Sequence, residues 1–264
     1  MSVFRDDVLS GKVALVTGGG SGICKGITRA LLAHGADAAI VGRKADRLQA
    51  AAEEMGKETG RSCLPVPADV RDTEAVEAMV DATLERFGRI DVLVNGAAGN
   101  FLAPAAQLSY NGFRTVMEID AQGTFNVSKA VFDRRFRDHG GTILNISATL
   151  HYGATPLQVH ASAAKAAVDS LTRSFALEWA ASNIRVVGIA PGPIDDTEGA
   201  SRLVPLGMKE KIEEMIPIKR FGRVEEIASL AVFLSTEAAS LITGTTIVAD
   251  GGDWLKSPLF TVMQ

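Results

Sequence analysis

Few folds accommodate a strand that runs straight into a cluster of glycines. The segment Lys12-Val13-Ala14-Leu15-Val16-Thr17 is apolar and strand-like, and Gly18-Gly19-Gly20-Ser21-Gly22-Ile23 follows it directly. Residues 22–34 then take up helical periodicity. A strand, a tight turn and a helix in this order open a βαβ unit, because parallel strands need a crossover connection. Glycines tolerate positive φ and let backbone come close to an anion, while free N–H groups at the helix start attract it. Gly18, Gly20, Ser21, Gly22 and Ile23 therefore read as a pyrophosphate cradle rather than as a plain strand-to-helix turn.

The same alternation continues along the chain. Short apolar runs at 12–17, 37–42, 62–66, 90–95, 142–147, 184–190 and 245–249 are separated by helical stretches near 22–34, 44–58, 73–87, 110–138, 158–182 and 223–235. This predicts an α/β fold, a single-domain Rossmann-type doubly wound parallel sheet flanked by helices. A chain of 264 residues, 47% hydrophobic, can bury one large core. No Pro-, Gly- or Ser-rich break divides it, and it contains no internal repeat. Only 191–217 interrupts the pattern, opened by Pro191-Gly192-Pro193 and closed by Pro217. An insertion of this length before the last helix and strand reads as a substrate lid, at the sheet edge where ligands of such folds bind.

Composition narrows the function. The formal net charge is −4 and there is no basic tract, which argues against a nucleic-acid partner. No apolar run reaches the roughly 18–20 residues of a membrane span, and Met1-Ser2-Val3-Phe4-Arg5-Asp6-Asp7 is not a signal peptide. Cys24 and Cys63, the two cysteines, have no metal-ligand spacing partner and suit a reducing compartment. The chain ends Thr261-Val262-Met263-Gln264, unlike a peroxisomal address of the Ser-Lys-Leu type. The expectation is a soluble, cytoplasmic protein with no metal.

The second strand indicates which dinucleotide the cradle takes. An NAD site places Asp or Glu at the end of that strand to hold the ribose hydroxyls. Here it ends Ile40-Val41-Gly42-Arg43-Lys44, with no acid. Arg43, with Arg47 nearby, can instead pair with the 2′-phosphate of NADP(H). The alternative is a group of cations that only solvates a helix start.

Thr17-Gly18-x-x-x-Gly22, Asn95-Gly96-Ala97-Ala98-Gly99, Ser147, Lys165 and Pro191-Gly192 occur in order over nearly the whole chain. In this combination the chain resembles the short-chain dehydrogenase/reductase family. One departure is Cys24, where a third glycine is usual. The resemblance implies that Asp69 and Val70 hold the adenine and that Asn95, Gly96 and Ala97 line the nicotinamide ribose. It also places Pro191, Gly192, Ile194 and Thr197 against the cofactor, with Lys165 on the ribose. It further implies association, a homotetramer with a dimer as the alternative, through the long helices near 110–138 and 158–182.

The family's usual active site combines Asn, Ser, Tyr and Lys. This chain keeps Ser147 and Lys165 but has Ala161 where the tyrosine belongs, and Asp120 at the helical asparagine position. A tyrosine there moves a proton on oxygen in alcohol–carbonyl chemistry, so its loss points to reduction of a conjugated carbon–carbon double bond. A carboxylate beside Lys165 can orient a water or deliver a proton, or can only tie helix to helix. Ser147 can donate to a substrate oxygen or satisfy a strand end. His160 reads as a pocket wall or cap, and His151 and Tyr152 as further candidate pocket residues.

Ala98-Gly99-Asn100-Phe101-Leu102, Glu118-Ile119-Asp120, Gln158-Val159-His160-Ala161 and Ala190-Pro191-Gly192-Pro193-Ile194 are similar to one group within that family, the peroxisomal-type 2,4-dienoyl-CoA reductases. That group lacks the tyrosine and carries the aspartate. The similarity implies NADPH-dependent reduction of a 2,4-dienoyl-CoA to a 3-enoyl-CoA in the oxidation of unsaturated fatty acids. It assigns catalysis to Asp120, Lys165 and Ser147, places Phe101 along the acyl chain, puts Ser109, Tyr110 and Asn111 beside the substrate, and sets Arg71 and Arg202 near the coenzyme A phosphates. Two other readings stay open: another acyl thioester (3-ketoacyl or 3-hydroxyacyl) oxidoreductase, and a degenerate NADP-binding scaffold protein.

Overall fold

In the computed structural model, residues 3–204 and 207–255 are described. They form a seven-stranded sheet in the order β3-β2-β1-β4-β5-β6-β7, parallel at every pairing. In chain order the main elements are β1 (Val13–Thr17), α1 (Gly22–Ala33), β2 (Asp37–Gly42), α2 (Ala45–Thr59), β3 (Cys63–Pro67), α3 (Thr73–Phe87) and β4 (Val92–Asn95). Next come α4 (Tyr110–Met117), α5 (Gly123–Val131), α6 (Arg137–His139), β5 (Gly141–Ile146), α7 (Val159–Trp179) and β6 (Ile184–Pro191). The last are α8 (Glu198–Leu203), α9 (Lys209–Met215), α10 (Val224–Leu234) and β7 (Thr246–Ala249).

Strand residues point alternately to the two faces, and both faces are covered. Val16, Ile40, Val94 and Leu144 pack on α1, α2 and α10 on one side, while Leu15, Ala39, Leu93 and Ile143 pack on α3, α5 and α7 on the other. Burial on two sides is why the strands read as continuous apolar runs.

The expected helix over 110–138 is helical throughout but not uniformly α. A π-helical turn, Glu118–Gln122, joins α4 to α5, and a second, Phe132–Phe136, joins α5 to α6. Such turns insert a residue into the ladder and swing the side chains around them, a common device at functional sites. The predicted lid is also helical in part. It leaves β6, pairs Ile194 with Gly222, and carries α8 and α9. Lys209 of α9 returns to Asp195 at 2.6 Å, which ties the segment to its own root. Among the described residues no helix is long and apolar enough to cross a membrane.

Candidate active site

The carboxyl ends of the central strands open into a cleft of about 500 Å³. At one end its wall is backbone. Gly18 has φ +71°, and a Cβ there would stand 2.8 Å from the Gly96 carbonyl oxygen, so a larger residue does not fit. Thr17 fixes this close approach: its hydroxyl accepts from the Gly96 and Ala97 N–H groups at 3.0 and 3.1 Å. α1 starts without a side-chain cap and without an acid in its first turn. α3, by contrast, is capped by Asp72, whose carboxylate accepts from the Glu74 and Ala75 amides. The bare start of α1 leaves its positive end for an anion, which fits a pyrophosphate. Cys24 lines the same wall, and burial pushes its thiol up to about 12, so it is a neutral apolar surface.

Farther out, Arg43, Lys44 and Arg47 line the cleft beside Asp69 and Val70. Asp69 is the one acid among the described lining residues, and it is already engaged. Arg71 Nε donates to its Oδ1 at 3.0 Å and Nη2 to its Oδ2 at 2.6 Å. That fork holds the Asp69 carboxyl below the usual carboxylate range. Val70 is fixed from behind, because Asn126 Nδ2 donates to its carbonyl at 3.0 Å.

The opposite end is made of side chains. Lys165, on α7, donates to the Ile146 carbonyl at 2.9 Å and stands 3.0 Å from Asp120 Oδ2. Asp120 comes from the first π-helical turn, is 1% exposed, and accepts the Gly99 N–H on Oδ1 at 2.7 Å. One ammonium and one carboxylate are thus taken out of water together, an arrangement expensive enough to require a purpose or close compensation. Around them gather buried polar atoms without partners: the Ser147 hydroxyl and both ring nitrogens of His160. Native folds tolerate few such atoms. Burial also lowers the His160 pKa, against the opposing pull of the Phe101 backbone and Asp120, so the imidazole is neutral near pH 7.

Of the residues singled out in the sequence, the cleft brings together Gly18, Gly20, Ser21, Gly22, Ile23, Arg43, Arg47, Asp69, Val70, Gly96, Ala97, Ser147, Lys165, Thr197 and Arg202. Asp120 lies directly behind Lys165. The lid therefore contributes Thr197 and Arg202 to the cleft. Asn95 is a correction: its amide donates to Ser128 Oγ and Asn145 Oδ1, both at 2.9 Å, so it knits β4 to β5 and α5 beneath the cleft. Pro191, Gly192 and Ile194 do not line it either. Pro191 and Ile194 are buried, and Gly192 packs against Asp250.

Phe101 is 40% exposed, Tyr110 is 93% exposed, and Asn111 is exposed beside it. The Ser109 hydroxyl accepts the Gly112 N–H and caps α4. Arg71 is turned onto Asp69 rather than into the cleft. His151 and Tyr152 are a second correction. Both approach Asp169 Oδ2, at 3.0 and 3.1 Å, in a separate cleft of about 450 Å³ with Arg173 and Thr246. The Tyr152 phenol is thus committed elsewhere and does not replace the side chain missing at the buried Ala161. Thr17, Asn126 and the Ile146 carbonyl are supporting groups that sequence reasoning passed over. For Thr17 the available signal was a hydroxyl at the strand end, just before the glycines.

A parallel sheet with a backbone cradle at one end of its cleft and a buried lysine at the other has the architecture of a nicotinamide-dinucleotide oxidoreductase. Residues 18–253 match the family described as Enoyl-(Acyl carrier protein) reductase, and the chain belongs to this branch of the short-chain dehydrogenases/reductases. It is 50% identical to a peroxisomal 2,4-dienoyl-CoA reductase, (3E)-enoyl-CoA-producing, from Danio rerio, over 97% of this chain and 85% of that protein. The protein of the same name from Arabidopsis thaliana is 47% identical, over 97% of this chain and 89% of its own. A probable 2,4-dienoyl-CoA reductase from Bacillus subtilis, (2E)-enoyl-CoA-producing, is 41% identical over 93% of this chain and 97% of its own. Among solved structures, a citronellol catabolism dehydrogenase from Pseudomonas aeruginosa PAO1 superposes with a TM-score of 0.85 at 36% identity, covering 96% of this chain and 99% of that one. A 3-ketoacyl-(acyl-carrier-protein) reductase from Brucella melitensis, complexed with NADH, gives 0.86 at 30% identity, covering 93% and 99%.

Proposed function

We propose that this chain reduces 2,4-dienoyl-CoA to 3-enoyl-CoA with NADPH, in the oxidation of unsaturated fatty acids. The observation that carries the proposal is the buried Asp120–Lys165 pair at 3.0 Å in a site whose tyrosine position is Ala161. Reduction of a conjugated dienoyl thioester adds a hydride at the far end of the diene and leaves a dienolate, with charge spread onto the thioester oxygen. The final proton goes to carbon, so no phenol facing an alkoxide is required. Donors near the thioester oxygen and a placed proton source are required instead.

A reduced nicotinamide bound in the cleft supplies the hydride. Gly18, Gly20, Ser21, Gly22 and Ile23 hold its pyrophosphate, Asp69 and Val70 its adenine, and Gly96, Ala97 and Lys165 the ribose beside the ring. Arg43, with Arg47, selects the 2′-phosphate, supported by the lack of any acid lining the end of β2. The unpartnered Ser147 hydroxyl donates to the thioester oxygen. A water held by Asp120 and Lys165 delivers the proton to the carbon next to the carbonyl, which gives the 3-enoyl product. Delivery two carbons farther on would give the 2-enoyl isomer. Phe101 lies along the acyl chain, Ser109, Tyr110 and Asn111 beside the substrate, and Arg202 near the coenzyme A phosphates, where Arg71 joins it on release from Asp69.

The working form in this reading is a homotetramer, supported by apolar side chains left exposed on the long helices, Phe113, Phe125 and Leu177 among them. A monomer in sedimentation at micromolar concentration would refute that part. A reducing cytoplasmic location is supported by the unpaired Cys24 and Cys63. The relatives from Danio rerio and Arabidopsis thaliana are named peroxisomal, and cell fractionation decides between the two compartments.

The test of the whole reading is NADPH consumption against a 2,4-dienoyl-CoA, a 2-enoyl-CoA and a 3-ketoacyl-CoA, with the position of the product double bond determined. The dienoyl substrate is expected to be turned over alone, to a 3-enoyl product. Turnover of the ketoacyl thioester, or of none, overturns it.

A further inference from the structure

The loop that follows β4 is held by the Asp120 turn and by the residues at the start of α7. Gly99 N donates to Asp120 Oδ1 at 2.7 Å, Asn100 Nδ2 to Gln158 Oε1 at 2.7 Å, and Ala103 N to the Leu157 carbonyl at 2.9 Å. Between these ties the Phe101 ring lies on the His160 imidazole, with centroids 4.2 Å apart and planes 28° from parallel. Leu157 is held at φ +65°, a left-handed conformation that leucine rarely adopts, so the clasp is strong enough to fix a strained residue.

His160 itself is 0% exposed and makes no hydrogen bond through either ring nitrogen. Apart from the pull of the Phe101 backbone and of Asp120, the imidazole has no polar partner, and what it offers the loop is its shape, a flat ring beneath another flat ring. It sits where the Phe101 loop, the Asp120 turn and α7 meet.

We infer that His160 is the positioning residue of the acyl pocket: a buried platform that fixes the face of Phe101 along which the acyl chain runs. The inference rests on the dienoyl-CoA reading in taking the ligand to be an acyl thioester and in running its acyl chain along Phe101. His160 acts through Phe101 and not on the reacting atoms. Its influence therefore grows with the length of chain that reaches the phenyl ring, and the proton-delivering pair is left to work unaided. Phenylalanine at position 160 keeps the platform; alanine removes it.

The test uses the full chain with NADP(H) present and two readouts. One is calorimetric affinity for a short and a long saturated acyl-CoA, which needs no turnover. The other is KM and kcat with a short and a long 2,4-dienoyl-CoA. His160→Ala is expected to weaken long-chain binding and raise long-chain KM by roughly 2- to 12-fold, the range an aromatic pair contributes. Short-chain values and kcat stay within about twofold, and His160→Phe restores the long-chain values. Dinucleotide fluorescence and melting temperature establish that each variant is folded. His160→Phe alone, being the conservative change, decides the matter if the alanine variant does not fold: it must keep wild-type chain-length discrimination. Equal effects on short and long chains, or a fall in kcat at unchanged KM, overturn the inference. Chain-length discrimination in affinity without dienoyl turnover in the wild type would sustain the platform and sink the dienoyl reading. Turnover without any His160 effect on affinity would do the reverse.

Discussion

At the pyrophosphate end of the cleft the contacts are backbone: Gly18 against the Gly96 carbonyl, Thr17 holding the Gly96 and Ala97 amides, and the uncapped start of α1. The acid nearby is already neutralised, in the Arg71–Asp69 fork, which leaves Arg43, Lys44 and Arg47 as an excess of positive charge. At the reacting end the contacts are side chains, and they include an unsatisfied Ser147 Oγ and an Asp120–Lys165 pair withdrawn from water. The first end is complete before a ligand arrives, so it recognises shape and charge. The second end carries polar groups whose partners have yet to come, so it is where chemistry is expected.

The sharpest way to break this division is to remove charge from the reacting end. Asp120→Asn keeps an oxygen for the Gly99 N–H but no longer neutralises Lys165. Turnover of a dienoyl-CoA is expected to fall by roughly 10²–10⁴, the range of general acid–base help, with little change in NADPH affinity. Lys165→Ala should harm both, since one ammonium serves ribose and water. Steady-state kinetics beside a fluorescence titration of NADPH separate the two. An NADPH affinity that falls as far as turnover for Asp120→Asn would show that the ends are not independent.

The next effect belongs to the dinucleotide end alone. Arg43→Ala should weaken NADPH binding by roughly ten- to over a hundredfold, the value of a charge-assisted contact, and leave NADH nearly unchanged. Equal losses for the two cofactors would remove the 2′-phosphate from Arg43.

A third change probes how tightly the backbone wall is built. A Cβ on Gly96 would stand 2.0 Å from Cys24 Sγ and 3.0 Å from the Thr17 carbonyl. Gly96→Ala should therefore destabilise the fold by about 1–3 kcal/mol through overpacking. Much of that should return in Gly96→Ala with Cys24→Ala, because the worst contact is the thiol. Denaturant unfolding of the two single variants and the double variant gives the coupling. Additive losses would mean that the wall yields elsewhere and is less rigid than the comparison holds.

These two ends also differed in how far the sequence revealed them. Where backbone geometry demands glycine the residues announce themselves, and the strands fall within two residues of their expected bounds. The pairing of Asp120 with Lys165 left no such mark, because it depends on a π-helical turn that looks, in apolar spacing, like any other part of a helix. The family resemblance supplied that pair; periodicity did not. The resemblance implies a place for Asn95 at the nicotinamide ribose, yet its amide belongs to a buried network with Ser128 and Asn145. His151 and Tyr152 follow β5 closely enough to suggest the main cleft, and the chain instead carries them to Asp169. Proximity in sequence identifies a loop, but the partners of its side chains are set by elements far away in the chain.

The smallest effect separates the two ends by pH. Burial lowers the His160 pKa from its ordinary 6.5, while Asp120, facing it from the π-helical turn, pulls the other way. The Phe101 backbone also pulls the other way, and residues 99–103 contain no titratable side chain. The unfolded chain binds its proton near 6.5, whereas the folded chain binds it only at lower pH, so in between the unfolded state holds more protons. Stability from this group is therefore complete above 6.5 and is lost as pH falls toward the folded value. At the other end the Asp69 carboxyl is also lowered, by its Arg71 hydrogen bonds, but its contribution is lost only as pH drops through the carboxylate range. Glu226, whose hydrogen bonds to Arg220 hold it at about 2 against an ordinary 4.5, likewise starts to lose its contribution only below about 4.5. Mild acid should then loosen the reacting end first. The melting temperature of the wild type should decline on moving from neutral to mildly acidic pH more steeply than that of His160→Phe, which has nothing to titrate there. Parallel curves for the two proteins would place the first acid-sensitive group elsewhere, and the reacting end would lose its claim to be the less settled half of the cleft.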